Sequence, residues 1–222
     1  MTKVIAIEGI DGSGKSVQFR RLAENLAARG FTVERREYPV YGKGFFGPQV
    51  GRYLSNAEGV PADRVDGKSM ALWFALDRWE DMRDYTGAAD FLIINRYVLS
   101  NAVYQSIRDI DLGKPDIVDW VFELEYEHFH LPKADVYLFY DVAPVQAEEN
   151  VHKKGFRAYV GHGGDVYEQS DSIQKRAREK YLACAAQRGD VAVVQCMQDG
   201  VLQSVDAIAA KTLSVLEEKG IV

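Results

Sequence analysis

The chain has 222 residues, 47% of them hydrophobic and 27% charged, with a formal net charge of -6. That length suits a single α/β domain over residues 1–222, and the acidic balance excludes a sequence-wide basic field for nucleic acid. No apolar stretch approaches membrane-spanning length and no basic, apolar leader opens the chain, so a cytoplasmic protein without nucleic-acid or membrane partners is expected.

Val4 to Ile7 is an apolar run of the kind that forms a buried parallel strand. It leads directly into Gly9-Ile10-Asp11-Gly12-Ser13-Gly14-Lys15-Ser16, the phosphate-binding pattern G-x-x-x-x-G-K-[ST]. Gly9, Gly12 and Gly14 let the backbone around Asp11 and Ser13 curl, so that its N–H groups point at nucleotide phosphates. Lys15 reaches the outer phosphates, and the Ser16 hydroxyl is placed to hold Mg²⁺. Phe19, Leu22, Ala23, Leu26 and Ala27 then recur at helical spacing up to a capping Gly30. Strand, loop and helix in succession make an ordinary glycine turn the weaker reading.

A second strand is expected near Phe31–Arg35, ending by Glu37. Pro39 bars its continuation, so Tyr38 to Gly42 is a loop at a strand's carboxyl end, where ligands bind in parallel sheets. Pro39 and Tyr41 are candidates to flank a substrate, or aromatic cover for the sheet edge. A helix is expected over Gly47–Leu54, a polar connection over Asn56–Gly67, and a longer helix over about Ser69–Tyr85. On that helix Phe74 and Arg78 share a face. They suit stacking on and donating to a flat ring, or else Phe74 is core and Arg78 pairs with Asp77 or Asp81 at the surface.

Phe91 to Ile94 reads as a buried strand running into Asn95-Arg96-Tyr97. Arg96 stands at the strand's functional end, where a guanidinium grips a phosphate through two parallel hydrogen bonds. The next helix gathers Asn101, Tyr104 and Gln105 near one polar face, which needs partners if buried. Pro115 opens a further amphipathic helix, whose Glu123, Glu125 and Glu127 are expected on its exposed side. His128 and His130 lack metal-ligand spacing. A fourth strand is expected over Asp135–Tyr140, a helix after Pro144, a glycine-jointed basic loop over Lys153–Asp165, a helix over Ser170–Gln187, a strand over Val191–Gln195 and a last helix over Leu202–Glu217. Cys184 and Cys196 fit reduced packing residues.

Five strands alternating with helices give a parallel sheet between helical layers. With these elements in place the chain resembles the thymidylate kinase family of P-loop nucleoside monophosphate kinases. The resemblance is carried by Glu8 to Ser16, Tyr38-Pro39-Val40-Tyr41, Phe74 to Arg78, Asn95 to Gln105, Leu131 to Asp135 and Asp165 to Glu168. It implies a P-loop three-layer sandwich with strand order 2-3-1-4-5, a lid at about 150–168, ATP and dTMP as nucleotides, Mg²⁺ as cofactor, and a homodimer. It further implies that Phe74 stacks on thymine, Arg78 donates to its carbonyl, Asn101 meets the base edge and Tyr104 gates the sugar. Asp11, Pro39, Tyr41 and Arg96 border the acceptor phosphate, and Gln105 belongs to the same substrate-binding set.

Three positions depart from the family pattern: Asn95, Gly12, and the start of the lid, where Asn150 and lysines replace the arginines that are common there. Asn95 stands where an aspartate is usual, offering Mg²⁺ or its waters an oxygen without charge, so Glu8 or Asp11 is expected to offset the missing carboxylate. Gly12 stands where some members carry an arginine, which shifts the expected transition-state cation to the basic loop, with Arg157 first and Lys153 or Lys154 as alternatives. A kinase of another deoxynucleotide or deoxynucleoside, or a low-turnover nucleotide-binding module, are the competing functions. An arginine finger is worth roughly three to five orders of magnitude in rate, so Arg157→Ala is expected to lower kcat far more than it raises either KM in a steady-state assay. Equal effects on kcat/KM through KM alone would contradict that role.

Overall fold

The computed structural model describes residues 1–57, 59, 62–152 and 171–222. Five strands, β1 (Lys3–Glu8), β2 (Val33–Glu37), β3 (Phe91–Asn95), β4 (Val136–Asp141) and β5 (Val191–Gln195), form one sheet in the order β2-β3-β1-β4-β5. Every pairing in it is parallel. β3 and β4 are buried along their whole length and β1 beyond Lys3, which is why each reads as an unbroken apolar run. β2, at the edge, carries the alternating charged sequence Val-Glu-Arg-Arg-Glu. The fold class and strand order match the expectation. The order reverses direction around β1, so its carboxyl end is the switch point where a ligand crevice opens.

Helices α1 (Lys15–Ala28) and α8 (Val205–Glu218) pack together against the sheet, as do α4 (Val98–Asp111) and α7 (Asp171–Gln187). α2 (Phe46–Ser55) and α3 (Gly67–Met82) pack on each other, and α3 and α5 (Val118–Glu123) both pack on α4. α6 (Pro144–His152) lies between β4 and the residues not described. Side-chain caps shift two helix starts from the periodicity-based estimate. Asp66 accepts from Ser69 N at 3.1 Å, starting α3 at Gly67, and Ser204 accepts from Ala207 N at 3.2 Å, starting α8 at Val205. A short hairpin, β6 (Met197–Gln198) with β7 (Val201–Leu202), turns on Asp199 and Gly200, whose φ values are 50° and 78°. Cys184 and Cys196 are buried free thiols; burial raises both, Cys196 to about 12, so they remain protonated packing groups.

The helix after Pro115 contradicts one expectation. α5 passes at Leu124 into a π-helical turn, Leu124–His128, closed by Phe129 N donating to Leu124 O at 3.0 Å. The wider turn breaks the 3.6-residue spacing and brings Glu125 to full burial, while Glu123 and Glu127 stay exposed. Glu125 therefore belongs to the core and not to the solvent face.

The acidic positions of α3 serve the loop after β2. Asp77 accepts from Val40 N at 3.0 Å, Asp81 from the Tyr38 hydroxyl at 2.9 Å, and Glu80 from Phe45 N at 2.7 Å and Phe46 N at 3.2 Å. They fix the segment that holds Pro39 and Tyr41, so neither Asp77 nor Asp81 is the surface partner of Arg78 considered above. Burial pushes the Asp77 carboxyl up to about 6, against the Val40 N–H and the nearby Arg78, which pull it down. A raised folded value means that the native state holds the proton more tightly than the unfolded chain. This group's stability contribution is therefore present below about pH 4 and lost as pH rises through 6. Asp77→Asn keeps an acceptor for Val40 and cannot ionise. The variant is expected to gain up to about 3 kcal/mol over the parent at pH 8 in denaturant melts, with the difference vanishing near pH 4.

Candidate active site

Because Gly12 and Gly14 take φ values of 82° and 85°, the turn after β1 folds back on itself before α1 begins at Lys15. Gly14 caps that helix with no side-chain acceptor, so the first-turn N–H groups face the loop's hollow as an anion site. The Lys15 ammonium donates to the carbonyls of Gly9 at 2.9 Å and Ile10 at 2.7 Å, lying across the mouth of the turn. Ser16 is exposed on the first turn. A Cβ on Gly12 would stand 1.9 Å from the carbonyl oxygen of Ala147 in α6, and Asn150 Nδ2 donates to the Gly12 carbonyl at 2.9 Å. The space over Gly12, where some members of the resembled family carry an arginine, is filled by the backbone of α6, so only glycine fits there.

Arg96 is the first residue after β3 and adopts φ 63°, a left-handed conformation unusual for a side-chain-bearing residue. Its backbone N donates to Ile7 O at 3.0 Å, tying the turn to β1. The guanidinium reaches across to the Asp11 carboxylate and lies over the Tyr104 ring at 5.7 Å from its centroid. Asp11 is gripped from a second side by Gln174 of α7, which accepts from Asp11 N at 3.0 Å and donates to Asp11 Oδ2 at 3.0 Å. The same amide oxygen accepts from the Tyr104 hydroxyl at 3.1 Å. Arg96, Asp11 and Tyr104, proposed from different parts of the sequence, thus form one connected group. Gln174 completes it and was not foreseen.

Beneath this group Glu8 is fully buried at the end of β1. Its carboxylate accepts from Tyr97 N at 2.9 Å, Ser100 N at 3.3 Å, the Tyr181 hydroxyl at 3.1 Å and the Ser100 hydroxyl. Burial pushes its pKa up, with the Ser100 hydroxyl and Tyr97 N–H opposing. Through these bonds Glu8 anchors the start of α4. Asp11 is likewise committed, to Arg96 and Gln174. Asn95 differs: its Nδ2 donates to Glu37 Oε1 at 2.6 Å, and its buried Oδ1 has no partner among the described residues. An orphaned oxygen at Asn95 and the exposed hydroxyl of Ser16 fit a hard cation that keeps most of its ligands as water and phosphate. Among the described residues no cluster of three or more His, Cys, Asp or Glu forms a protein cage for a metal.

On α3, Phe74 is half-buried and Arg78 fully enclosed. Arg78 makes a two-pronged pair with Glu125, Nε to Oε2 at 2.6 Å and a terminal nitrogen to Oε1 at 2.5 Å. Asn101 donates to the same Glu125 Oε1 at 2.8 Å and to Ala71 O at 3.0 Å. Gln105 is buried and accepts from Arg108 at 2.9 Å. Pro39 and Tyr41 sit on the loop held by α3, and Tyr41 packs on α2, where a Cβ on Gly51 would meet its ring at 3.1 Å. The expected lid, Arg157, Lys153, Lys154 and the Asp165–Glu168 motif lie outside the described residues, apart from positions 150–152 at the end of α6.

The sequence model of the family described as thymidylate kinase matches residues 7–208. A thymidylate kinase of Mycobacterium tuberculosis is 32% identical over 187 residues, covering 83% of this chain and 86% of the relative. A probable thymidylate kinase of Thermococcus kodakarensis is 29% identical over 202 residues, covering 88% and 90%. The solved structure of thymidylate kinase from Candida albicans superposes with a TM-score of 0.73 at 22% identity, covering 99% of this chain and 93% of that one, a likeness of fold.

Asn95→Asp supplies the missing charge beside Glu37. Titration of activity with Mg²⁺ is expected to show half-saturation at a lower concentration than in the parent, whereas Glu8→Gln should leave that midpoint unmoved and lower the melting temperature. A shifted midpoint in the Glu8 variant would return that carboxylate to the metal.

Proposed function

The chain belongs to the thymidylate kinase family, and from that membership we propose that it transfers the γ-phosphoryl group of ATP to dTMP, giving dTDP and ADP. The observation that carries the reading is the group formed by Arg96, Asp11 and Tyr104, where the acceptor side of the site meets the phosphate-binding turn. An ionised phosphate oxygen of dTMP needs no base to attack the γ-phosphorus, and the bridging oxygen leaves with ADP. The protein must supply alignment in line with that bond and positive charge to offset the repulsion between phosphates.

In this reading Lys15 exchanges the carbonyls of Gly9 and Ile10 for phosphate oxygens, while the backbone of Gly9 to Ser16 cradles the donor. Arg96 holds the acceptor phosphate through its planar fork, and Asp11 keeps that fork aimed between the two nucleotides. Phe74 stacks on the base, Arg78 and Asn101 meet its edge, Tyr104 crowds the sugar's 2′ position, and Pro39, Tyr41 and Gln105 enclose the substrate. Ser16 and Asn95 would hold Mg²⁺, which when bound neutralises phosphate charge. Assembly as a homodimer and a cytoplasmic location belong to the same proposal and rest on family resemblance alone.

A coupled assay of ADP release across a panel of nucleoside monophosphates tests the reaction, with dTMP expected to give the highest kcat/KM. Nucleotide binding without acceptor-dependent release would overturn it. Arg96→Lys keeps the charge but loses the fork. It is expected to lower kcat/KM for dTMP by at least about 100-fold while the KM for ATP changes little.

A further inference from the structure

The buried ion pair behind the base site has no part in the transfer chemistry, yet a fully enclosed carboxylate and guanidinium are costly to keep. Side-chain exposure is 2% for Arg78 and 0% for Glu125. One oxygen of Glu125 serves two donors, Arg78 at 2.5 Å and Asn101 Nδ2 at 2.8 Å. The second amide hydrogen of Asn101 goes to Ala71 O at 3.0 Å. With both hydrogens committed, the amide cannot turn over, and Asn101 Oδ1 is held as a buried acceptor with no partner among the described residues. Arg78, whose fork spends two of its five N–H groups on Glu125, is a donor on every edge it has left.

From this arrangement we propose that Glu125 is a positioning residue that sets the hydrogen-bonding polarity of the base site, one acceptor beside one donor. The inference rests on the seating of a pyrimidine between Phe74, one turn before Arg78 on α3, and Tyr104, one turn after Asn101 on α4. A ring with N3–H and a 4-oxo group meets that polarity in both places. A ring with a bare N3 and a 4-amino group opposes it in both, leaving buried groups unpaired, a mismatch that disfavours binding far more than a missing methyl does. Glu125 enforces the choice without touching the ring. In E125Q the amide oxygen replaces only one carboxylate oxygen: at the Oε1 place it keeps Asn101 but sets its NH₂ against Arg78 Nε, and at the Oε2 place it keeps Arg78 Nε but sets its NH₂ against Asn101 and the other fork nitrogen. Either way the donor and the acceptor of the base site are no longer held together.

The test is calorimetric binding of dTMP and of dCMP to the full chain, parent and E125Q, which reads polarity independently of turnover. The parent is expected to favour dTMP by at least about 100-fold, and E125Q to narrow that ratio at least about tenfold. E125D, which keeps the charge inside on an arm too short for both partners, provides the same reading should E125Q melt below the assay temperature. A pair that only staples α3 to the π-helical turn predicts weaker binding of both nucleotides in the same proportion. An unchanged ratio in a folded variant, or a parent that does not favour dTMP over dCMP, overturns the proposal. Preferential dTMP binding by a parent that releases no ADP would overturn the proposed reaction and leave this role standing.

Discussion

The carboxylate of Glu8 is the constraint on which the rest of the site depends. It sits at the switch point of the sheet, at the end of the central strand, with no exposure to solvent. A charge in that position is tolerated only when its lone pairs are filled, and they are filled by the start of α4 and by Tyr181 of α7. Those contacts fix two elements, α4 and α7, relative to β1. The phosphate-binding turn grows out of the same strand, Arg96 is the residue before Tyr97, and Gln174 lies two turns before Tyr181 on α7. One buried acid therefore brings the donor turn, the acceptor arginine and the amide that orients Asp11 into register.

That register explains why so many charged side chains in the site are paired within the protein. Asp11 is held by Arg96 and Gln174, and Arg78 by Glu125. Lys15 bonds the carbonyls of its own turn. Arg96 and Arg78, oriented by their partners, need little reorganisation to meet a ligand, whereas Lys15 has to leave the carbonyls of its own turn. The packing of α6 on Gly12 has a related effect. By occupying the space over Gly12 with backbone, it leaves no room for a side chain at that position.

The elements that depend on local pattern were legible in the sequence. Buried parallel strands announce themselves as runs such as Phe91 to Ile94, and the glycine spacing of the phosphate turn has a geometric cause that any reader of the sequence recovers. Arg96 was legible too, because the end of a buried strand is a known address for ligands. What escaped was fixed by tertiary placement. Gln174, Arg178 and Tyr181 form a polar stripe at helical spacing on α7, but nothing local says that it faces inward to Asp11, Asp141 and Glu8. Glu37 meets Asn95 because β2 and β3 are neighbours in register, which periodicity does not reveal. Glu125 was misplaced because a π-helical turn breaks the spacing on which the surface assignment relied. The hairpin at Asp199-Gly200 carried a strong turn signal that went unused.

In the proposed reaction the acceptor binds between α3 and α4, with Arg96 and Asp11 paired beside the phosphate-binding turn. A structure of the full chain with dTMP and a non-hydrolysable ATP analogue tests this most directly. It should show the dTMP phosphate in the fork of Arg96, the ring against Phe74, and N3–H donating to Asn101 Oδ1. Glu8 and Glu125 should keep the partners described above. A dTMP molecule bound away from Arg96, or a rearranged Glu8 network in the complex, would contradict it.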